Sequence, residues 1–495
     1  MIILEDEQAV NGEDDYFEIR ASKVENLREQ GINPYPYEFN RVESATEARE
    51  LFDPKSDEEL QDEVSVCGRI TARREHGGAT FMDIMDESGT IQVYFSEKYL
   101  DDGDVYERCV DLWDIGDFIG IHGELFETGE GEISVVARTA TILSKGLRPL
   151  PEKFHGLQDR ELRYRKRYLD LLSNPEVRET FQTRSEFLLN LRQVLADRDF
   201  MEVETPMMQK IAGGAEAQPF ETYHNALDLD LYLRIAPELF LKRLLVGGFE
   251  RVYEINRNFR NEGISTQHNP EFTMLELYES YVDYHRIMEL TEEVVSESIR
   301  RTVGSTTLEY GDRTIDWSTP WNRKPMLEIL EEHTDLEWSL GMSQQDVFDR
   351  AHENGFKVEP CESTGAQLME VFDEAVENNI TDPTFVTEFP ADISPLAKPH
   401  RDKPDHAERF ELFCGGLEIG NAYSELNDPM LQRDNFERQA KDSSEIDEDF
   451  LEALEYGMPP AGGLGLGIDR IVMLITDSSS IRDVILFPLL RPNQG

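Results

Sequence analysis

The spacing of apolar residues along the chain changes twice, and each change predicts a different kind of structure. Residues 1–60 carry one candidate helix, Phe17–Gln30, which is followed by a glycine. From Val64 to Leu143, β-branched and aromatic residues form short runs separated by turn residues, which is typical of strands. Beyond Asn174 the apolar residues return to helical spacing. Three regions of different architecture are therefore expected.

The second region, residues 61–146, predicts a small β-domain. Turn residues occupy Glu87–Thr90 and Thr128–Gly131, and a helix is predicted near Ser96–Val110. The predicted strands are Val64–Ala72, Thr80–Asp86, Ile91–Phe95, Phe118–Leu125 and Ile133–Leu143. Five strands with one helix are typical of an OB-type barrel, although the pattern alone also allows another small β-domain.

A basic segment follows the predicted β-domain. Residues 147–172 are interpreted as a linker or hinge. Its basic residues include Arg160, Arg163, Arg165, Lys166 and Arg167. These side chains fit either ion pairs between domains or contacts to nucleic-acid phosphates, and the sequence leaves both interpretations open.

The third region, residues 173–495, is interpreted as an α+β domain. Asn174 and Pro175 supply an N-cap and first-turn pair for a long helix. Helices and antiparallel-looking strands then mix without the βαβ alternation of a doubly wound sheet. Neither a GxxxxGK[ST] motif nor a GxGxxG motif after a predicted strand occurs, so any nucleotide phosphates must be held in another way.

Charge is the unusual feature of the composition. The 495 residues include 101 acidic and 49 basic ones, which gives a net charge of −52, and the acids are spread along the whole chain. An acidic surface kept for solubility is one interpretation. The density favours a halophile-type adaptation to molar salt, where the Debye length falls to about 3 Å and self-repulsion is screened. Hydrophobic residues make up 39% of the chain, enough for packed cores rather than disorder.

Several observations predict a cytoplasmic protein. No run of about 18 apolar residues occurs, so no membrane span is predicted. Met1–Asp15 turns acidic after its first apolar residues and lacks the basic start of a signal peptide. Cys67, Cys109, Cys361 and Cys414 form no CxxC pair, which is typical of free thiols in a reducing compartment.

Three segments carry residue types suited to chemistry, and the first is Arg251–Tyr278. A strand over Arg251–Glu262 would place on one face Glu254, Asn256, Asn258, Arg260 and Glu262. A hairpin partner at Glu271–Tyr278 would place on a common face Phe272, Met274, Glu276 and Tyr278. A solvated sheet face is the plain alternative. An arginine that can clamp a carboxylate or phosphate, together with a ring that can stack on a purine, instead suits a nucleotide beside an amino acid.

The second segment is Glu411–Asp428. Asn421, Tyr423 and Glu425 share one strand face, whereas Glu411 and Glu418 flank a Gly-Gly break. Carboxylates with little basic charge around them suit Mg²⁺, which takes one or two protein carboxylates plus substrate phosphates. The general acidity of the chain is the competing explanation.

The third segment is Gly462–Ile475. Its glycines allow the backbone to approach a ligand closely. Arg470 lies in the first turn of the predicted helix that follows, where the helix dipole also favours anions. A glycine-rich turn before a core helix would explain the glycines but not an arginine at the head of an apolar helix.

Together with Arg198–Pro206, these segments resemble the ordered motifs of the class II aminoacyl-tRNA synthetases, and the lysine enzymes among them. Arg198–Pro206 is similar to motif 1, Arg251–Tyr278 to motif 2, and Gly462–Arg470 to motif 3. The stretches NLREQGINPYPYEF, LRPLPEKFHGL and SPLAK are similar as well. The resemblance covers nearly the whole chain.

The resemblance implies an α+β protein with an N-terminal helical extension, an OB-type anticodon-binding barrel and a class II catalytic domain built on a six- or seven-stranded antiparallel sheet. It implies a lysine–tRNA ligase that uses ATP and Mg²⁺. Such an enzyme activates L-lysine to lysyl-adenylate and pyrophosphate, and then transfers lysine to the 3′-terminal adenosine of tRNA(Lys). A homodimer formed through motif 1 is also implied.

Site residues follow from the same resemblance. Arg260, at the α-phosphate and the substrate carboxylate, and Arg470, at the terminal phosphate, would be the catalytic residues. The ATP-binding set would comprise Arg260, Glu262, His268, Asn269, Phe272 and Arg470, with the Phe272 ring stacked on adenine. The lysine-binding set would comprise Gly214, Glu238, Arg260, Glu276, Tyr278, Asn421, Tyr423 and Glu425.

Within the lysine set, the resemblance places Gly214 and Glu276 at the α-amino group. The ε-ammonium would meet Glu238, Tyr278 and Glu425, helped by Asn421. Glu411 and Glu418 would bind Mg²⁺. The anticodon would be met in the barrel by Arg73, Phe81, Gln92 and Glu132.

The chain departs from the family pattern at a few positions. Gln267 and Gln218 stand where arginine is common, Asp199 where glycine is usual, and Tyr423 where many relatives have phenylalanine. The Gln267 change puts one phosphate contact in doubt.

An anionic pocket argues for lysine over the substrates of the sister aspartyl and asparaginyl enzymes. Those enzymes need Arg or Lys to meet their side chains, whereas Glu238, Glu276 and Glu425 would leave charges unpaired against a neutral analogue. A paralogue that lysylates a translation factor is disfavoured by the predicted barrel. A non-catalytic tRNA-binding paralogue is disfavoured by the retained Arg260 and Arg470, together with the two acids assigned to Mg²⁺.

Overall fold

The computed structural model describes residues 13–76, 78–102, 104–150, 157–215, 217–439 and 446–492. The chain divides into two compact units, Met1–Gly156 and Leu157–Gly495. This division falls inside the segment that the sequence predicts as a linker. The start of the acidic N-terminal segment and residues 151–156 of the linker lie outside the described residues. No helix in the described ranges is long and apolar enough to cross a bilayer.

The first unit is a small barrel preceded by two helices. Its helices are α1 (Glu13–Glu29), α2 (Ala45–Leu51) and α3 (Asp104–Leu112). Its strands are β1 (Glu63–His76), β2 (Ala79–Met85), β3 (Thr90–Ser96), β4 (Phe118–Glu127) and β5 (Ile133–Ser144). The described strands close in the order β1-β2-β3-β5-β4, with β3 and β5 parallel. All five predicted strands are confirmed, whereas the predicted helix after β3 starts eight residues late because a turn precedes it.

Alternation along the barrel strands separates a core from an outer face. Met82, Ile84 and Val93 are at most 1% exposed and point into the barrel. Phe81 and Tyr94, which are directly paired across β2 and β3, lie on the opposite, partly exposed face.

The second unit contains most of the helices. They are α4 (Arg160–Arg165), α5 (Arg167–Ser173), α6 (Pro175–Ala196), α7 (Glu238–Val246), α8 (Tyr284–Val303), α9 (Met326–Thr334), α10 (Gln344–Glu353), α11 (Thr364–Ala375), α12 (Pro429–Gln439), α13 (Glu448–Glu455), α14 (Ile468–Ile475) and α15 (Ile481–Val484). The N-cap predicted for α6 is only partly right. Pro175 opens the helix, but the Asn174 side chain makes no capping bond and instead donates to Asp170 at 2.7 Å.

The described strands of the second unit form one large sheet and two small ones. They are β6 (Met201–Glu202), β7 (Met208–Gln209), β8 (Glu221–His224), β9 (Leu229–Leu233), β10 (Arg251–Phe259), β11 (Glu271–Ser280), β12 (Thr307–Tyr310), β13 (Arg313–Asp316), β14 (Asn322–Pro325), β15 (Thr384–Thr387), β16 (Arg409–Cys414), β17 (Leu417–Ser424) and β18 (Ala461–Gly467). The large sheet has the order β14-β15-β16-β17-β18-β11-β10-β6 over the described residues.

The expected six or seven strands are therefore too few, since the described sheet has eight. The inner strands, from β15 to β10, pair antiparallel as expected. The extra strands are β6 and β14 at the two edges, and both pair in parallel. Runs of two and four residues are too short to show a strand pattern in the sequence.

Helices α6, α8 and α14 cover one face of the large sheet. Phe187 and Leu191 of α6, Val294 of α8 and Val472 of α14 belong to one buried cluster with Leu275 of β11. Burial of these apolar surfaces is the main contribution to the stability of the helix–sheet packing. The opposite face of the sheet is left for a binding site.

Basic residues of the predicted linker form ion pairs inside the second unit. Arg167 is 1% exposed and lies 2.6 Å from Asp170, which also pairs with Arg163 at 2.7 Å. Arg160 lies 2.9 Å from Asp483. Arg160, Arg163 and Arg167 therefore form ion pairs within the second unit.

Candidate active site

A cavity of about 1260 Å³ lies in the second unit. Typical small-molecule sites measure roughly 300–1,000 Å³, so the volume allows two ligands side by side. Among the residues predicted for ATP, lysine or Mg²⁺, those that line it are Gly214, Glu238, Arg260, Glu262, His268, Asn269, Phe272, Glu276, Tyr278, Glu418, Asn421, Tyr423, Glu425 and Arg470. Glu411, the other predicted Mg²⁺ ligand, is not among the lining residues.

The hairpin of β10 and β11 supplies one wall. Its register pairs Glu254 with Glu276, Asn256 with Met274 and Asn258 with Phe272. Directly paired residues of antiparallel strands point to the same face, so the predicted polar face is confirmed. The strand ends earlier than predicted, at Phe259, so Arg260 and Glu262 lie in the following loop.

Motif 1 is fixed to this hairpin by buried polar contacts. The Thr205 hydroxyl donates to Glu254 at 2.6 Å, and Arg234, which is 1% exposed, lies 2.7 Å from the same carboxylate. Asp199 has a φ of 61°, a left-handed conformation that glycine adopts at no steric cost. That conformation explains why glycine is usual at the Asp199 position in the family.

Arg260 has a free donor at the middle of the cavity. Its backbone N–H donates to Pro270 O at 2.9 Å, which fixes the loop, and its guanidinium lies 5.2 Å from the centre of the Phe272 ring. Arg260 Nε is buried and has no hydrogen-bond partner among the described residues. The same holds for Asn269 Oδ1. Arg260 Nε can donate to an anion, and Asn269 Oδ1 can accept from an adenine amino group.

Arg470 lies at the start of α14, as predicted. Its guanidinium is 3.1 Å from His268 Nε2 and 3.7 Å from Glu418 Oε2. Partial desolvation and the neighbouring Arg470 charge lower the pKa of His268, which favours the neutral imidazole. The preceding Asp469 is held by Arg184 at 2.6 Å and accepts from the Thr273 N–H at 2.7 Å. These contacts fix the orientation of the helix that carries Arg470.

Glu276 is a buried carboxylate between the two ends of the cavity. Its pKa is raised to about 8, mainly by burial and also by the nearby Glu238 charge, whereas Arg234 and Arg260 act in the opposite direction. A cationic ligand group would restore the ionised form.

The far end of the cavity holds a buried charge cluster. Lys242 Nζ lies 2.6 Å from Glu238 and 2.5 Å from Glu425, and all three side chains are at most 5% exposed. The Tyr423 hydroxyl donates to the second oxygen of Glu238 at 2.8 Å. Burial raises the pKa of Glu425 to about 8, although Lys242 lowers it.

Two glycines make room for these side chains. A Cβ on Gly463 would lie 2.0 Å from Glu425 Oε1 and 2.4 Å from the Tyr278 ring. Gly214 has a φ of +88°, and a Cβ there would lie 3.1 Å from the Glu238 Cβ. Side chains at these positions would therefore fill or distort the far end of the cavity.

The predicted Mg²⁺ ligands form part of an acidic group. Burial raises the pKa of Glu411 to about 8; Arg409, 2.5 Å away, lowers it, and Glu418 and Asp373 raise it. Hard oxygen donors with excess negative charge fit Mg²⁺. Within the described residues, no group of three or more His, Cys, Asp or Glu side chains could hold a metal ion. Substrate phosphates would have to complete the coordination.

The sequence interpretation missed two cations at this site. Arg409 lines the cavity and donates to Asn421 Oδ1 at 3.1 Å. It lies two residues before Glu411 on the same strand, a spacing that could have revealed it. Lys242 follows Glu238 by one helical turn in the apolar stretch ELFLKRLLV, where a lysine on the buried face needs a partner.

Two of the family departures also lie at the cavity. Gln218 and Gln267 are among its lining residues. The Gln218 carbonyl accepts from the Asn261 N–H at 2.8 Å, so its backbone fixes the loop after Arg260.

The predicted anticodon residues lie in the first unit, on more than one surface. Phe81 and Tyr94 have ring centres 4.9 Å apart on the outer barrel face, and Gln92 accepts from Ser134 at 3.0 Å. Glu132 is exposed and pairs with Arg49 at 2.8 Å. Arg73 pairs with Met82 in the sheet and donates to Trp113 O at 2.8 Å, so it points away from the Phe81 face.

Two family models match the chain. The description "tRNA synthetases class II (D, K and N)" matches residues 159–491, and "OB-fold nucleic acid binding domain" matches residues 64–143. The matched segments contain the cavity and the barrel, respectively.

Curated relatives match almost the full chain. A lysine–tRNA ligase of Carboxydothermus hydrogenoformans is 52% identical over 482 residues, covering 96% of this chain and 97% of the relative. The lysine–tRNA ligase of Pelotomaculum thermopropionicum is 52% identical over 485 residues, covering 96% and 95%. That of Moorella thermoacetica is 50% identical over 493 residues, covering 98% and 99%. The chain therefore belongs to the class II tRNA synthetases of the D, K and N group.

Proposed function

We propose that the protein is a lysine–tRNA ligase, which joins L-lysine to tRNA(Lys) at the expense of ATP. The observation that carries the proposal is the acidic lining of the cavity. Glu238 and Glu425 are buried at its far end, and Glu276 is buried between that end and the arginines. Near-full-length relatives that are lysine–tRNA ligases support the same substrate.

In the proposed reaction the lysine carboxylate attacks the α-phosphorus of ATP in line, and pyrophosphate leaves. Arg260 binds the α-phosphate and the lysine carboxylate, and its unpartnered Nε supports this role. Phe272 stacks on adenine, with Glu262, His268 and Asn269 around the base and its phosphates. Arg470 holds the terminal phosphate. Catalysis consists of positioning and charge stabilisation, without a covalent enzyme intermediate.

Mg²⁺ would be held by Glu418 and Glu411 together with ATP phosphates, and would neutralise charge that develops on the leaving pyrophosphate. The acidity around Glu411 supports this assignment. Arg409 then maintains the orientation of Glu411.

The proposed lysine site orients the substrate by pairing each of its charged groups with groups of the protein. Gly214 and Glu276 receive the α-ammonium, and the far-end cluster receives the ε-ammonium. An aspartate or asparagine side chain would leave these carboxylates unpaired, which gives strong discrimination.

We assign anticodon binding to the barrel, with Phe81 and Gln92 as base contacts on its outer face. Glu132 and Arg73 would act from neighbouring surfaces, since Arg73 points away from the Phe81 face. The partly exposed ring of Phe81 supports stacking on a base, since a fully buried ring could not reach one.

The proposal includes a homodimer formed through motif 1. Exposed apolar side chains at and beside motif 1 support it: Leu189 is 68% exposed, Met201 41% and Met208 58%. Side chains of this kind favour a protein interface. The protein is also assigned to the cytoplasm of a salt-adapted cell, on the basis of its free thiols and its net charge of −52.

ATP–pyrophosphate exchange tests the proposed activation step. Lysine should drive the exchange without tRNA, whereas aspartate and asparagine should give only background. Exchange driven by aspartate or asparagine would refute the lysine assignment, and no exchange with any of the three would refute activation itself.

A further inference from the structure

The chain passes a buried lysine directly after the last strand of the barrel. The Lys145 side chain is 0% exposed; its ammonium contacts Asp114 and lies 2.9 Å from Asp117, which is also 0% exposed. Asp117 further accepts from the N–H groups of Asp114 and Gly146, each at 2.7 Å. Buried charges are costly unless they are paired and hydrogen-bonded, so these contacts fix the chain after β5 to the turn before β4.

Helix α1 binds the same stretch of chain. Arg20, whose side chain is 7% exposed, donates through Nη1 to the carbonyl oxygens of Gly146 and Arg148, at 3.2 Å each. Lys23, one turn further along α1, lies 2.7 Å from Asp114. Because one guanidinium binds two carbonyl groups of the same segment, it fixes the direction of the backbone as well as its position.

The apolar core of the barrel is separate from these polar contacts. It contains, for example, Ile70, Val93 and Ile119, which are all 0% exposed. A buried ion pair gives little net stabilisation, because the cost of desolvation offsets the attraction between the charges. What the polar contacts specify is therefore the path of residues 145–148.

This path lies between the segments that the two family models match. Those models cover residues 64–143 and 159–491, so neither α1 nor residues 145–148 belong to them. A tRNA held at the barrel by its anticodon must place its 3′ end at the cavity, where a displacement of about 1 Å can cost about 100-fold in rate. The direction in which the chain leaves the barrel constrains that placement.

We propose that Arg20, supported by the buried Lys145 cluster, is a positioning residue for tRNA charging: it fixes the direction in which the chain leaves the barrel, and with it the placement of the tRNA 3′ end during lysine transfer. This inference rests on the proposed function, and on anticodon binding by the barrel in particular. Burial alone would raise the pKa of Asp114, but Lys145 and Lys23 hold that pKa below its ordinary value, so Asp114 stays ionised. Molar salt screens such buried pairs less than it screens pairs on the surface.

Arg20→Met tests the assignment in the full-length protein, because it removes both bonds to the carbonyl groups while keeping an apolar side chain. The kcat for charging tRNA(Lys) should fall at least about 10-fold. Lysine-dependent pyrophosphate exchange without tRNA should stay within about twofold, and so should the Kd for a hairpin RNA with the anticodon stem and loop of tRNA(Lys). Normal charging by Arg20→Met would overturn the inference. A hairpin Kd raised in proportion to the charging defect would overturn it as well, because Arg20 would then act only on the stability of the barrel.

The matched control is Arg28→Met, since Arg28 lies on the same helix but is 53% exposed and pairs with Glu25 at 2.6 Å. Charging, exchange and the hairpin Kd should all stay within about twofold. A charging defect equal to that of Arg20→Met would overturn the inference, because the charge of α1 would then matter rather than the two bonds to the carbonyl groups.

Tyr35→Phe is a milder second variant that removes no charge. The Tyr35 hydroxyl donates to the Lys145 carbonyl at 3.2 Å, so its loss should lower the charging kcat about two- to fivefold and leave the hairpin Kd unchanged. Melting curves establish that each variant is folded. Should Arg20→Met fail to fold, unchanged charging by Tyr35→Phe would overturn the inference.

The unmodified protein, assayed alongside, separates the two levels of the account. If it charges no tRNA with lysine, or does not bind the hairpin, the proposed function or its anticodon assignment fails. If it does both, and Arg20→Met does both equally well, only the positioning role of Arg20 fails.

Discussion

The cavity of the second unit and the outer face of the barrel both carry polar and aromatic side chains, but they hold them differently. In the cavity, Glu238, Glu276 and Glu425 are at most 5% exposed and lie among other fixed charges. On the barrel, Phe81 and Tyr94 are partly exposed and contact each other through their rings.

This difference in burial determines how strongly each surface can discriminate between ligands. A ligand of the wrong charge in the cavity leaves a buried group unpaired, and that penalty is large. Stacking on a partly exposed ring contributes less and tolerates any base. Substitutions in the cavity should therefore affect the amino-acid step strongly, and substitutions on the barrel should affect only the tRNA step, more weakly.

The largest effect is expected for Arg260→Ala. Removing the donor placed between the two substrates should reduce lysine-dependent pyrophosphate exchange at least about 100-fold. Arg257→Ala is the matched control, because Arg257 lies three residues before Arg260, on β10, and alternates to the face opposite Asn256 and Asn258; its exchange should stay within about twofold. Near-normal exchange in Arg260→Ala would remove Arg260 from the mechanism.

Gly463→Ala should impair lysine binding by filling the far end of the cavity. The new Cβ would lie 2.0 Å from Glu425 Oε1, so the lysine KM should rise at least about 10-fold while the ATP KM changes little. Gly129→Ala is the control, since a Cβ there meets nothing within 4 Å. Equal increases in both KM values for Gly463→Ala would point to a general packing defect.

On the barrel, Phe81→Ala should weaken tRNA charging roughly 5- to 100-fold through lost base stacking. Exchange without tRNA should be unchanged, because the cavity lies in the other unit. The melting temperature should also stay nearly constant, since the Phe81 ring is on the outer face. An equal drop in tRNA charging and in pyrophosphate exchange would contradict the assignment of the two steps to different units.

Salt should change the difference between the cavity and the barrel least, because it screens charges over the whole protein surface. With 101 acidic and 49 basic residues, repulsion should lower the melting temperature in about 0.1 M KCl relative to about 2 M KCl, where the Debye length is only about 2–3 Å. Charging should rise over the same range, even though added salt reduces the free energy gained when tRNA releases counterions on binding. Equal stability and activity at both concentrations would contradict the salt adaptation but not the proposed function.

Long, strongly patterned elements were predictable from the sequence, and local arrangements were not. The five barrel strands and the polar face of β10 follow from alternation alone, so their placement is confirmed. The short edge strands β6 and β14 were missed because they pair through tertiary contacts rather than through a pattern of their own.

The cavity residues also divide into those that the sequence indicates and those that it does not. Carboxylates and arginines in recognisable motifs were named in advance, whereas Lys242 and Arg409 were not. Each has an acidic partner within four residues, but each also has a partner much farther along the chain. Lys242, for example, meets Glu425 across 183 positions only after α7 packs beside the sheet. The orientation of Arg73 could not be read from the sequence either, since its pairing with Met82 turns it away from the Phe81 face.

Aminoacylation of unfractionated tRNA tests the central claim most directly, because it requires the cavity and the barrel to act together. The purified protein should attach labelled lysine to tRNA in the presence of ATP and Mg²⁺, and labelled aspartate and asparagine should stay at background. Attachment of aspartate or asparagine, or no attachment of lysine at any salt concentration, would contradict the account.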